Sequence, residues 1–165
     1  PERFDLAEAP HEPGGLASTW FDGDGVATRP NRFVEGGRLR SWVLSAYAAR
    51  RLGLTTTGNA GGVHNLRLGD DGLDFDGLLK EMGTGLLVTE LMGQGVNLVT
   101  GDYSRGAAGF WVENGRITKP VQEVTIAGNL RDMFRALVAV GNDREWRSTI
   151  STGSLVIGSM KIAGR

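Results

Sequence analysis

The sequence holds few residues of the types that hold metals or act as nucleophiles. Its 165 residues include no Cys and only two His, His11 and His64. The lack of Cys excludes a Cys nucleophile, a Cys-ligated zinc and an iron–sulfur cluster. His11 is followed by Glu12 and Pro13 with no second His one helical turn later, so it does not form the His-Glu-x-x-His zinc motif. His64 lies on a predicted strand, where a polar side chain usually bonds to a loop. We therefore predict no catalytic residue and no metal site in this chain.

Two polar, glycine-flanked stretches are the candidate binding segments. Residues 102–105 lie between two glycines and are predicted to form a loop joining strands. Arg105 would bind a carboxylate there, or Asp102 and Ser104 would only bond to their own backbone. Residues 58–64 are rich in glycine, but their spacing does not match a phosphate-binding loop. The predicted cleft-lining residues are Asn59, Gly61, Gly62, His64, Asp102, Tyr103, Ser104 and Arg105.

Charge and hydropathy exclude several classes of protein. Lys and Arg total 18 and Asp and Glu total 19, a formal net charge of −1. A nucleic-acid-binding domain usually carries a basic excess, so we expect no nucleic-acid partner. No apolar stretch reaches the ~18 residues of a membrane helix, so we expect no membrane partner. The absence of Cys and of a recognisable export signal predicts a cytoplasmic location.

The elements that position these residues are predicted to be mostly short strands. Gly accounts for 26 residues, which is typical of a chain with many tight turns. Asn114-Gly115 and Gly36-Gly37 predict two hairpins. Strands are also expected over 16–22 and 96–100, and helices over 44–52, 75–82 and 130–140. The predicted fold class is α+β, with a mostly antiparallel, curved or partly barrel-like sheet and about three short helices. Residues 1–15 are predicted to be an extended lead-in, and 16–165 a single domain.

Several motifs together resemble the C-terminal domain of the PmbA/TldD family, and the PmbA (TldE) branch in particular. The resemblance extends from about Leu16 to the end of the chain. It is carried by 36–42 (Gly-Gly-Arg-Leu-x-x-Trp), 52–62, 79–85 (Leu-Lys-Glu-Met-Gly-Thr-Gly), 89–95 (Thr-Glu-Leu-Met-Gly-Gln-Gly), 100–115, 126–130, 141–143 (Gly-Asn-Asp) and 160–164 (Met-Lys-Ile-Ala-Gly).

The resemblance implies a function that composition alone does not. In this family, TldD-type and TldE-type chains pair into a metalloprotease that acts on unfolded peptides, and an older name is modulator of DNA gyrase. The TldD-type chain carries His-Glu-x-x-x-His and a Cys. This sequence lacks the first, and the Cys would fall near Thr152. The chain also resembles only the C-terminal third or so of a family member, which makes it a probable fragment of a longer protein.

The resemblance therefore implies an accessory, non-catalytic domain of a metalloprotease. It would bind a TldD-type metal-bearing subunit, contribute one wall of a cleft for unfolded peptides, and need no cofactor of its own. Zinc is expected only on the partner subunit. One alternative is a homo-oligomeric binding or regulatory module of the gyrase-modulator type, without protease activity. Another is an independent hydrolase that uses His64 with Asp102.

Overall fold

The computed structural model describes residues 1–145 and 148–164. These residues form three short helices among short and long strands. The helices are α1 (Ala46–Leu52), α2 (Phe75–Met82) and α3 (Leu130–Arg135). The strands are β1 (Leu6–Glu8), β2 (Asn31–Glu35), β3 (Arg38–Leu39), β4 (Leu66–Leu68), β5 (Gly85–Met92), β6 (Asp102–Glu113), β7 (Arg116–Asn129), β8 (Leu137–Val140), β9 (Ile150–Ser151), β10 (Leu155–Ile157) and β11 (Lys161–Ala163).

The chain divides into two compact units. The first unit comprises Pro1–Asp71 and Asp143–Gly153, and the second comprises Gly72–Asn142 and Ser154–Arg165. Strand β1, which lies within the predicted lead-in, belongs to the sheet of the first unit. The predicted division of the chain at residue 15, and the single domain after it, stay predictions.

The first unit is built on a five-stranded sheet of order β3-β2-β1-β4-β9. β1 occupies the middle and pairs antiparallel with β2 and β4, while β9 pairs parallel with β4. The predicted Gly36-Gly37 hairpin is confirmed, and both glycines have positive φ. Helix α1 begins after Ser45, whose side chain accepts a hydrogen bond from the Ala48 amide. These elements fix the positions of the loops between β3 and β4.

The second unit contains a four-stranded antiparallel sheet of order β11-β7-β6-β5. Its long β6–β7 hairpin turns at Asn114-Gly115, as predicted, with positive φ at both residues. Ala107, Val124 and Ile126 form the buried face of this sheet. The predicted helix over 75–82 is confirmed, and the Asp74 side chain caps it by accepting from the Gly77 amide. The α+β class with mostly antiparallel strands is therefore confirmed. No closed barrel occurs in the parts of the chain that the structure describes.

Three local predictions were wrong, each for its own reason. The predicted helix over 130–140 ends at Arg135, and Leu137–Val140 forms strand β8 against β10. Its two valines are β-branched and favour strands, and Val140 is fully buried. Residues 97–100 turn instead of forming a strand, because the Asn97 side chain accepts bonds from the Val99 and Thr100 amides. Residues 16–22 carry no strand, only a single bridge from Phe21 to Ala27.

Helices long and apolar enough to cross a bilayer are absent from the described residues.

Gly109 has no room for a side chain, which gives a test of the β5–β6 pairing. A Cβ at Gly109 would lie 1.9 Å from the carbonyl oxygen of Leu87. We expect Gly109→Ala to lower the free energy of unfolding by more than about 2 kcal/mol, because backbone would have to move. Gly106→Ala in the same strand is the control, since its Cβ would meet Met92 Cβ at 3.4 Å. Urea unfolding of the full-length chain measures both, and equal losses would contradict the pairing.

Candidate functional site

A buried carboxylate lies at the centre of the first sheet. Glu8, at the end of β1, is only 3% exposed. Its oxygens accept hydrogen bonds from Asn31 Nδ2 at 2.6 Å, from Asn59 Nδ2 at 2.9 and 3.0 Å, and from the His64 amide at 2.8 Å. Burying a charge without such partners would cost several kcal/mol, so these donors allow Glu8 to lie there.

The predicted cleft segment 58–64 is tied to this carboxylate. Asn59 and His64 are both buried, and the second hydrogen of the Asn59 amide reaches the Gly62 carbonyl at 3.2 Å. Gly61 and Gly62 have φ of 100° and 126°, which L side chains rarely adopt. The structure therefore brings together the four predicted residues of this segment. Asn59 and His64 are held inside the unit by Glu8.

A second buried carboxylate, Asp22, fixes the same segment from the other side. Asp22 accepts hydrogen bonds from the amides of Asp24, Val26 and Ala60, each at 2.9 Å. Burial by itself would raise the pKa of Asp22. The amides of Ala60, Val26 and Asp24, together with the nearby His64, outweigh burial and hold that pKa below its ordinary value of 3.8.

Neither histidine is placed as a metal ligand. His64 Nδ1 lies 3.4 Å from Glu8 Oε2, but the Glu8 oxygens already accept from three residues. The His11 ring stacks on Trp20, with centroids 4.6 Å apart, and its Nε2 lies 3.0 Å from Thr28 Oγ1. Over residues 1–145 and 148–164, no group of three or more His, Asp and Glu side chains is arranged to hold a metal ion. These residues do not fit a zinc ion, and no metal-dependent step follows from them.

The second predicted segment lies in the second unit and is not a loop. Residues 102–105 open strand β6 and pair with β7, with Asp102 opposite Asn129 and Arg105 opposite Ile126. The loop prediction was wrong because β7 extends to Asn129 and supplies a pairing partner, a long-range effect. Arg105 donates a long bond of 3.4 Å to the Leu91 carbonyl, and its buried Nε has no hydrogen-bond partner among the described residues.

The Asp102 side chain bonds to two other side chains, not to the backbone of its own segment. It accepts from Thr100 Oγ1 at 2.7 Å and from Asn129 Nδ2 at 3.4 Å. Tyr103 packs against the buried face of the sheet. The two predicted segments thus belong to different compact units. A cleft that they share, and a reaction that uses His64 with Asp102, stay predictions.

Sequence reasoning missed Glu8, Asp22 and Asn31. The available signal was Glu8, which follows Leu6 by two residues and so faces the same side of a strand. An acidic residue on the same side of a strand as an apolar residue indicates a buried, hydrogen-bonded acid. The predicted extended lead-in over residues 1–15 contains no strand on which Glu8 could be placed.

Removing the charge of Glu8 tests whether this network organises the first unit. Glu8→Gln replaces one acceptor oxygen with an NH₂ group that would face other N–H donors. We expect the free energy of unfolding to fall by about 2–3 kcal/mol. The control is Glu35→Gln, which alters exposed ion pairs to Arg32 and Arg40. It should change the free energy of unfolding by less than about 0.5 kcal/mol. Urea unfolding distinguishes the two, and a silent Glu8→Gln would contradict the network.

The lowered pKa of Asp22 predicts how stability depends on pH. The pKa of such a carboxyl is lower in the folded chain than in the unfolded chain. It stabilises the fold fully when the pH is above its unfolded-state pKa, and this stabilisation is lost as the pH falls through its folded-state pKa. The wild-type chain should therefore lose stability on acidification below about pH 4. Asp22→Asn should be less stable at pH 6 and should lose less between pH 6 and pH 3. Urea titrations across this range measure both slopes, and parallel curves would contradict the assignment.

Comparison with known proteins places this fold and sequence in a family. Residues 1–164 match the PmbA/TldA metallopeptidase C-terminal domain. Metalloprotease PmbA of Escherichia coli O157:H7 is 59% identical over 165 residues, covering 100% of this chain and 37% of the relative.

Two crystal structures have the same fold. TldE from Thermococcus kodakarensis superposes with a TM-score of 0.85 at 26% identity, covering 99% of this chain and 40% of that one. A candidate modulator of a DNA gyrase from Thermotoga maritima superposes with a TM-score of 0.89 at 36% identity, covering 98% and 39%. The chain spans 37% of the length of the E. coli relative. With a match over residues 1–164 and these identities, the chain belongs to the PmbA/TldA metallopeptidase family and matches its C-terminal domain.

Proposed function

We propose that this chain is the C-terminal domain of the accessory, non-catalytic subunit of a cytoplasmic TldD/TldE-type metalloprotease that acts on unfolded peptides. Its role is to bind a TldD-type metal-bearing subunit and to supply part of the wall along which the peptide lies. Zinc belongs to the partner subunit in this proposal, and the donor chemistry of the described residues supports that assignment because it does not fit the ion.

The exposed aromatic surface around α1 carries this proposal. Among the described residues of the first unit, four aromatic side chains are between 58% and 73% exposed. They are Trp20, Phe21, Trp42 and Tyr47. Aromatic side chains are enriched at protein interfaces and supply most of the binding energy there. An ordered segment that exposes several of them to water is typical of a docking surface.

The segments that carry these aromatics are held beside one another. The Ala46 amide, in the first turn of α1, donates a 2.9 Å hydrogen bond to Asp24 Oδ2. This bond joins the turn that follows Phe21 to the helix that carries Tyr47. Because this bond already joins the two segments, a partner has less backbone to order when it binds, which lowers the entropic cost.

Edge strands support the peptide-binding part of the proposal. β5 is eight residues long and lies at the edge of its sheet, with β6 as its one neighbour among the described strands. An extended peptide can add to such an edge through main-chain hydrogen bonds, without any catalytic residue in this chain. The cleft-lining role of segments 58–64 and 102–105 stays a sequence prediction, and the proposal does not depend on it.

Introducing a negative charge on the α1 surface tests the proposal. The full-length chain is co-expressed with a TldD-type relative that carries His-Glu-x-x-x-His, and the complex is measured by co-purification and by cleavage of an unstructured peptide. We expect a 1:1 complex that cleaves the peptide, and a loss of at least about tenfold in affinity for Trp42→Asp and Tyr47→Asp. Neither substitution should change the melting temperature appreciably, because both side chains are exposed.

The control is Val99→Asp, at a position that is 95% exposed in the second unit. It adds the same charge outside the α1 surface and should leave the complex intact. A full-length chain that shows no affinity for the relative, and that forms a stable homodimer by light scattering, would contradict the proposal. It would favour the homo-oligomeric regulatory module instead.

A further inference from the structure

A cavity of about 190 Å³ lies in the first unit, outside the segments discussed above. It is enclosed by the loop 12–16, by β4 and by β9 with the residues just before it. We call it the β4–β9 pocket and define it by Glu12, Gly15, Asn65, Arg67, Thr149 and Ser151. A water molecule occupies about 30 Å³ of liquid, so the pocket has room for a side chain as large as glutamine.

The walls of the pocket are fixed before any ligand arrives. Asn65, with φ of 46°, accepts from the Ala17 amide and donates to the Ala9 carbonyl and to Ser18 Oγ, at 2.8–2.9 Å. A Cβ at Gly15 would lie 2.5 Å from Asn65 Nδ2, so only glycine lets the loop approach this closely. The loop is therefore held against β4 by side-chain bonds, which is the arrangement of a preformed site.

A buried hydroxyl in the wall of the pocket lacks a partner. Ser151 is 4% exposed and lies opposite Arg67 in the β4–β9 register. Its Oγ makes no hydrogen bond within residues 1–145 and 148–164. An unsatisfied buried hydroxyl is costly and calls for an explanation, and a polar group bound in the pocket would satisfy it.

The charges on the pocket wall are already balanced. Arg67 Nη2 and Glu12 Oε1 form an ion pair between partly exposed side chains. A charged ligand group would have to compete with this pair, and an apolar group would leave the Ser151 hydroxyl unsatisfied. The lining therefore favours a group that is polar, uncharged and able to donate and accept hydrogen bonds.

The position of the pocket selects an extended chain as its ligand. β9 is the last strand of the five-stranded sheet and pairs with β4 alone among the described strands. Its Ile150 side chain is half exposed. A strand edge next to a pocket is the arrangement in which a peptide adds its main chain to the edge and places one side chain in the pocket.

We propose that the β4–β9 pocket is a subsite for one uncharged polar side chain, of the Asn, Gln, Ser or Thr type, on an extended peptide that lies along β9. This assignment rests on the proposed function, because it names the side chain that the peptide-binding wall selects. The Ser151 hydroxyl is the specificity-determining group, and the Glu12–Arg67 pair excludes charged side chains.

Three peptides test the selectivity with the full-length chain. They are Ala-Ala-X-Ala-Ala-amide with Asn, Leu or Asp at X, labelled with the same dye on the N-terminal amine and titrated by fluorescence polarisation. A site built around an unpaired polar group rejects analogues that leave it unpaired. We expect the Asn peptide to bind at least about tenfold more tightly than the Leu and Asp peptides.

Substitutions at Ser151 separate binding from folding. Ser151→Ala should remove most of the preference for Asn without lowering the urea midpoint, because the free protein loses only an unsatisfied hydroxyl. Ser151→Thr retains the hydroxyl and should preserve the preference. Ser41→Ala, outside the pocket, is the control and should change neither quantity. Equal binding of the Asn and Leu peptides, or a Ser151→Ala variant that loses stability but keeps the preference, would overturn the assignment.

Different experimental outcomes would contradict the pocket assignment and the accessory role. If the complex with the metal-bearing relative forms and cleaves peptide but the three peptides bind alike, the subsite assignment alone is wrong. If the Asn preference and its dependence on Ser151 hold but no complex forms, the accessory role is wrong.

Discussion

The buried carboxylate of Glu8 is the constraint on which the first unit depends. It lies on the central strand, where water cannot solvate it, so other parts of the chain must supply its hydrogen bonds. Those donors come from Asn31 on β2 and from Asn59 and His64 in the loop before β4. Two segments far apart in sequence, β2 and the loop before β4, thus have to converge on the charge that β1 carries. Asp22 applies the same constraint to that loop through the Ala60 amide. The loop is positioned by polar bonds to two acids, and this is why glycine-rich backbone can be ordered there.

What the sequence predicted well was local, and what it missed depended on distant partners. The turn at Asn114-Gly115 and the helix over 75–82 depend mainly on neighbouring residues in the chain, and both were predicted. Strand β8 was predicted as helix because Leu137–Val140 follows a capped helix start, and β10, its partner, lies 15 or more residues further on. Segment 102–105 looked like a loop because it is polar, yet it pairs with the far end of β7.

In the candidate site, too, local features were predicted and features that depend on distant residues were not. The glycine-rich segment 58–64 was recognisable from its composition, but its tie to Glu8 was not, because Glu8 is about fifty positions away in the chain. The β4–β9 pocket could not be predicted at all. Its walls come from the first residues of the chain, from β4 and from β9, and parallel pairing of such short strands leaves no recognisable sequence signal.

These features support the proposed accessory role. In that proposal the exposed aromatics near α1 offer a surface to another chain and the sheet edges offer main-chain groups to a peptide, while Glu8 and Asp22 hold the loop before β4. The most direct test of this account is the metal content of each subunit after the complex with the TldD-type relative is separated. Elemental analysis should find the metal with the relative and none with the full-length form of this chain. Stoichiometric metal on the separated full-length chain, together with cleavage of an unstructured peptide by that chain alone, would contradict the account.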